Sequence, residues 1–167
     1  MHADPHPLYW CEDILSKYDM LYESPIGVLA IVSDGEAITS LRLTHADTDP
    51  GRNDAAARAA AVWLDAYFSH APLPAMPPLK PEGSDFRKRV WAEMCRIPYG
   101  ATMSYGELAH RTGSSARAVG GAVGANPIAL MMPCHRVTGA RGTLGGFAYS
   151  SECKLFLLNL EQEGSFQ

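Results

Sequence analysis

Five prolines, Pro72, Pro74, Pro77, Pro78 and Pro81, fall in one short stretch near the middle of the chain. Each lacks an amide N–H and has a fixed φ, so neither a helix nor an interior strand can run through them. They form a stiff linker and divide the chain into two nearly equal parts, 1–83 and 84–167.

The first part has the pattern of strands followed by a helix. Residues 20–22 and 28–32 are strand-like, separated by Ser24-Pro25-Ile26-Gly27; Asp34-Gly35 marks a hairpin, and 37–43 reads as the returning strand. An acidic loop follows, and then 55–68 is alanine-rich and helical, with Val62, Leu64 and Tyr67 for packing. The second part is mostly helical. Ser84 caps a helix reaching about Arg96, with Phe86, Val90, Met94 and Ile97 along one side. Ser104-Tyr105-Gly106-Glu107 is a capping box opening a helix that ends at Gly113. Ser114 and Ser115 start another short helix, so 104–123 is a helix-turn-helix candidate. Gly120 and Gly121 inside that second helix each cost about 1 kcal/mol relative to alanine. A neighbouring helix or a DNA groove must approach closely there. A last helix, 151–163, is expected to turn Leu155, Leu158 and Asn159 inward.

Composition narrows the classes. With 47% apolar and 19% charged residues the chain can bury a core. No apolar run approaches bilayer length, and the N-terminus lacks a basic start and an apolar stretch, so a cytoplasmic protein without membrane contact is expected. The net charge of −4 conceals an asymmetry. Residues 1–83 hold 5 Lys/Arg against 12 Asp/Glu, a balance of −7, whereas 84–167 hold 9 against 6, a balance of +3. The second part is therefore the one suited to a polyanion, although attraction between the two halves would give the same asymmetry. Cys11, Cys95, Cys134 and Cys153 show no C-x-x-C and read as free thiols. Cys95 and Cys153 are expected as small buried side chains. Cys11 with His2 and His6 fits no standard metal spacing and is read as part of a tail; no metal and no cofactor are expected.

Cys134 is different. Asn126-Pro127 opens an apolar run, 128–132, that leads into Pro133-Cys134-His135-Arg136-Val137. A thiol reacts as thiolate, so cationic His135 and Arg136 should lower its pKa, and an adjacent base is the usual activator of a nucleophilic cysteine. A glycine-rich loop, Gly139, Gly142, Gly145 and Gly146, then Phe147, suits a pocket that closes over a flat ligand. Glu161 in the last helix is placed to orient His135.

Together these motifs resemble the O6-alkylguanine-DNA alkyltransferase family. The match rests on Asn126-Pro127, Pro133-Cys134-His135-Arg136-Val137, Gly145-Gly146-Phe147, Ser104-Tyr105-Gly106-Glu107-Leu108-Ala109, Ala116-Arg117-Ala118-Val119-Gly120, Ile97-Pro98-Tyr99-Gly100 and Leu157-Leu158-x-x-Glu161. It is dense over 84–161 and thin before, where Ser24-Pro25-Ile26-Gly27 is its clearest part. The resemblance implies an α+β protein, with a small antiparallel sheet and helix of ribonuclease H-like type ahead of a helical domain with a winged helix-turn-helix. It implies a suicidal methyltransferase for direct-reversal DNA repair. The alkyl group of O6-alkylguanine, and of O4-alkylthymine, would pass irreversibly to Cys134 after base flipping, in one turnover. The implied catalytic residues are Cys134, His135, Glu161, Asn126 and Tyr105. Double-stranded DNA would be bound by a monomer, through the minor groove, by Arg117, Ala116, Gly120, Gly121, Ser104 and Arg136, with Ala118 and Ala122 also small enough for close approach. The substrate pocket would comprise Met132, Val137, Leu144, Gly145, Phe147, Ala148 and Tyr149. Phe147 stands where the family more often has Tyr, and Tyr149 where it often has glycine. Three other readings are a non-catalytic alkyl-lesion sensor, a cysteine hydrolase using Cys134, His135 and Glu161, and a helix-turn-helix regulator. Retention of the cysteine disfavours the sensor. Divergence of adjacent side chains disfavours the hydrolase, and the missing effector domain disfavours the regulator.

Overall fold

The computed structural model describes residues 18–47, 52–145 and 149–164. His2, His6 and Cys11, Gly146 of the glycine-rich loop, and Phe147 and Ala148, expected in the substrate pocket, lie outside them.

Three strands, β1 (Met20–Ser24), β2 (Gly27–Ser33) and β3 (Ile38–Leu43), form an antiparallel sheet in the order β1-β2-β3. Ser24 pairs with Gly27 across the first turn, where Gly27 has φ +124°. Asp34 closes the second by accepting the amides of Glu36 and Ala37. Helix α1 (Ala55–Ser69) is capped by Asp54, whose side chain accepts the amide of Ala57. It buries Ala57, Ala60, Trp63, Leu64 and Tyr67, a helical-period stripe, in one cluster with Leu29, Ile31, Ile38 and Leu41 of the sheet. Val62, expected to pack, is on the outer face and 58% exposed.

The proline stretch does more than space two halves. Ile38 donates its amide to the carbonyl of Pro78 and accepts the amide of Lys80, so the linker adds to β3. Helices α2 (Asp85–Met94), α3 (Tyr105–Thr112) and α4 (Ala116–Gly124) then pack on each other. Ser84 and Ser115 cap α2 and α4, and the capping box of Ser104 and Glu107 opens α3. Gly113 ends α3 at φ +63°, a left-handed cap in which glycine has no Cβ to strain. Trp91 of α2 donates its indole N–H to the carbonyl of Ala122 in α4 at 2.8 Å. Cys95 closes α2 on the exposed side and Cys153 is half-buried, so neither is the core thiol expected. Two-residue strands β4 (Met103–Ser104) and β5 (Val137–Thr138) pair in parallel and bring the start of α3 beside the cysteine turn.

Helix α5 (Ser151–Gly164) buries Lys154, Leu157, Leu160 and Glu161. Leu155 and Asn159, expected inward, face outward, and Leu158 is half-buried. The inward stripe includes a lysine, which hydropathy assigns to solvent, and this rotates the buried face away from the leucine pattern. The protein is thus of mixed α and β type, with a three-stranded sheet and, among the described residues, five α-helices. No helix among the described residues is long and apolar enough to cross a membrane.

Candidate active site

The apolar run ahead of Cys134 is neither helix nor strand but a loop clamped at both ends. Asn126 accepts the amide of Ile128 at its Oδ1 (2.9 Å) and donates from Nδ2 to the carbonyl of Met132 (2.8 Å). Strand β3 holds it from the side. The amide of Leu41 donates to the Pro127 carbonyl, and the Ala129 amide donates to the Leu41 carbonyl. Leu130 is forced to φ +69°, a conformation leucine rarely adopts, and the buried surroundings of the loop hold it there. The loop delivers Cys134 to a single 3-10 turn, Cys134–Arg136, in which all three side chains are buried.

Within that turn His135 is fully buried, and its Nε2–H donates to Glu161 Oε1 at 2.6 Å. The same carboxylate receives Arg136 twice, from Nε to Oε2 (2.8 Å) and from Nη2 to Oε1 (2.9 Å). It also receives the amide of Gly100 (3.1 Å) and the hydroxyl of Tyr67 (2.8 Å). Burial pushes the Glu161 carboxyl up, but the hydrogen bonds and charges of His135 and Arg136 outweigh it and hold the group at about 2. An ionised carboxylate only accepts, so the imidazole proton is assigned to Nε2. Nδ1 then carries the lone pair; it is buried and takes no hydrogen bond from the described residues. Burial lowers the His135 pKa despite Glu161, so the ring is neutral near pH 7 and able to accept a proton at Nδ1.

The thiol itself is not pre-ionised. Cys134 is 4% exposed, and burial raises its pKa above the ordinary value. Asn126, the charge of Lys154 and the backbone amides of Cys134 and His135 oppose this without overcoming it. The expectation that His135 and Arg136 depress the pKa is therefore corrected. His135 is neutral, and Arg136 spends its charge on Glu161. Arg136 is also corrected as a DNA contact: it is 8% exposed, donates to the Ile97 carbonyl at 2.8 Å and lies over the Tyr99 ring.

The turn thus carries a buried thiol and, next in the chain, a neutral imidazole held by a carboxylate, a set of groups able to take up one proton. Known proteins with this chain's pattern agree on one family. The family model for the 6-O-methylguanine DNA methyltransferase, DNA binding domain, matches residues 85–163. A methylated-DNA–protein-cysteine methyltransferase of Mycobacterium tuberculosis is 43% identical over 147 residues, covering 84% of this chain and 89% of that one. One from Haemophilus influenzae is 41% identical over 154 residues, covering 87% and 86%. The chain belongs to the methylated-DNA–protein-cysteine methyltransferase family. A crystal structure of the M. tuberculosis protein OGT in complex with DNA superposes with a TM-score of 0.78 at 40% identity, covering 86% of this chain and 92% of that one.

Around the methyltransferase-family cysteine the other candidate residues fall into three groups. Met132 and Val137 are buried next to it in sequence, while Leu144 and Tyr149 are half-buried on either side of the undescribed residues. Tyr105 is half-buried, and its phenol is raised by burial and by proximity to the Cys134 charge. Gly145 lies against it: at φ +63°, a Cβ there would sit 2.9 Å from Tyr105 Cε2. Arg117, Ala116 and Gly121 are exposed on α4, with Gly120 half-buried, and Ser104 is the cap of α3. Among the described residues nothing outside α4 lies within 4 Å of a Cβ built on Gly120 or Gly121, so no described neighbouring helix explains these glycines. Ala118 is exposed, but Ala122 is buried and belongs to the core side.

Two site residues were missed from the sequence. Tyr67 was read only as packing, although a buried tyrosine needs a polar partner, and that rule was the available signal. Lys154 is fully buried, donates to the Val137 carbonyl at 2.6 Å and lies 5.9 Å from the Tyr105 ring centroid. Nothing in the sequence distinguishes it from a surface lysine.

Proposed function

We propose that this protein repairs O6-alkylguanine in DNA by taking the alkyl group onto Cys134, irreversibly and once per molecule. The reading is carried by one observation: buried Cys134 is followed, in the same turn, by a neutral imidazole whose Nε2 is fixed to Glu161 at 2.6 Å. The Cys134 proton passes to His135 Nδ1, through a water, and Glu161 stabilises the imidazolium that results. The thiolate attacks the alkyl carbon; the carbon–sulfur bond forms as the bond to O6 breaks. Tyr105 donates a proton toward the base, so guanine leaves neutral. A thioether has no hydrolytic exit, which makes the protein its own co-substrate.

The lesion must leave the stack to reach a sulfur so enclosed, and Arg117 is the exposed side chain suited to fill the gap. Ala116, Gly120 and Gly121 give α4 a surface without bulk, which suits close approach to a minor groove. Met132, Val137, Leu144, Gly145, Phe147, Ala148 and Tyr149 wall the base pocket, Asn126 fixes the turn before the nucleophile, and O4-alkylthymine is a second substrate. The protein acts as a monomer. Its ribonuclease H-like part, 1–83, supports a winged helix-turn-helix part, 84–167, that holds the chemistry.

The test is to incubate the protein with an O6-methylguanine oligonucleotide and measure intact mass and peptide maps. One methyl group per protein, on the peptide containing Cys134, is expected. Cys134→Ala should bind the DNA and accept nothing. Repeated turnover, or methyl on another residue, refutes the reading.

A further inference from the structure

We infer that Tyr67, from helix α1 in the first half of the chain, is a positioning residue of the proton relay. It sets how tightly Glu161 holds the His135 proton. The inference rests on the relay proposed above and adds a member from outside the segment that carries the family's motifs.

Tyr67 is 1% exposed and lies in an aromatic wall. Its ring stacks on Trp63 at 5.3 Å and meets Tyr99 edge-on at 6.0 Å and His135 edge-on at 6.5 Å. That packing leaves the hydroxyl with one direction, toward Glu161 Oε1 at 2.8 Å, with His135 Nε2 at 3.4 Å. Burial and the Glu161 charge push its pKa far above the usual phenol value, so Tyr67 is a permanent donor and never a base. Oε1 is the oxygen that also takes the His135 proton. Donors sharing one carboxylate oxygen each draw on its charge, so the Tyr67 bond weakens the pull of Glu161 on the imidazole. A weaker pull leaves imidazolium less stabilised and keeps the ring neutral to higher acidity. The charges facing His135 act in both directions. Glu161 from α5 raises its pKa, whereas Arg136 from its own turn and Lys154 from α5 lower it. Tyr67 moderates Glu161, which favours protonation. It also helps fix the carboxylate rotamer, with Gly100 N–H on the other oxygen.

Tyr67→Phe in the full chain keeps the ring and its packing and removes only the hydroxyl. Single-turnover methyl transfer is followed across a pH series, and the imidazole of His135 is titrated by nitrogen and proton NMR. The acidic limb of the transfer profile and the His135 titration should both move upward by about half to one pH unit. The Nε2 proton resonance should move downfield as Glu161 binds it more tightly. A variant that loses thermal stability but keeps the parent's pH profile, titration and Nε2 resonance shows a merely structural tyrosine and overturns the inference. If the parent itself places no methyl on Cys134, the repair reading fails. The NMR titration still decides whether Tyr67 governs the His135–Glu161 pair.

Discussion

Replacing Glu161 by glutamine removes one charge and nearly nothing in volume, yet the structure predicts a large effect. The carboxylate is 1% exposed and is the counter-ion of Arg136, which is itself buried. Glutamine presents an NH2 group where donors from Tyr67, Gly100, His135 and Arg136 now find only acceptors. Breaking a buried pair from one side costs about 3–5 kcal/mol. At roughly 2–4 °C per kcal/mol for a chain of this size, Tm should fall by about 10 °C. The pH dependence gives an independent handle. Because the folded pKa is depressed, from 4.5 to about 2, the ionised carboxylate contributes about 3 kcal/mol that is fully present above pH 4.5 and is lost as the pH falls toward 2. Glu161→Gln should abolish this contribution, flattening the acid limb of the stability curve. Methyl transfer should fall by about a hundredfold, since the imidazole loses the acceptor that fixes its tautomer. Urea unfolding across a pH series, with single-turnover transfer on the same samples, tests all three. A variant with the parent's Tm, acid limb and transfer rate would falsify the assignment of Glu161 as the hub of the site.

Two further outcomes separate the roles of neighbouring parts. Gly121→Ala adds a methyl group to an exposed helical position with nothing within 4 Å among the described residues, so the free protein should gain about 0.5–1 kcal/mol by thermal melting. The same variant should bind duplex DNA more weakly in a fluorescence titration; unchanged affinity removes α4 from the interface. Lys154→Met keeps length but deletes the cation that favours the Cys134 thiolate. The rate of Cys134 labelling by a small thiol reagent, followed against pH, should move to higher pH, and an unmoved profile means that Lys154 only supports the fold.

What the sequence determined by itself was local. Ser84, Ser104 with Glu107, Gly113 and Ser115 bound their helices where read, because a cap involves groups only a few residues apart. The Asp34-Gly35 hairpin and the Cys134-His135 pair are likewise statements about adjacent residues. Only tertiary structure decided which way side chains point and what charge they meet. Arg136, beside the cysteine in sequence, turns to Glu161, and the buried face of α5 runs through Lys154 rather than Leu155. The Cys134 thiol is raised rather than lowered because burial outweighs its neighbours. Tyr67 reaches Glu161 across 94 residues of chain. Desolvation and long-range hydrogen bonds depend on the whole packed neighbourhood, and no short window of sequence contains it.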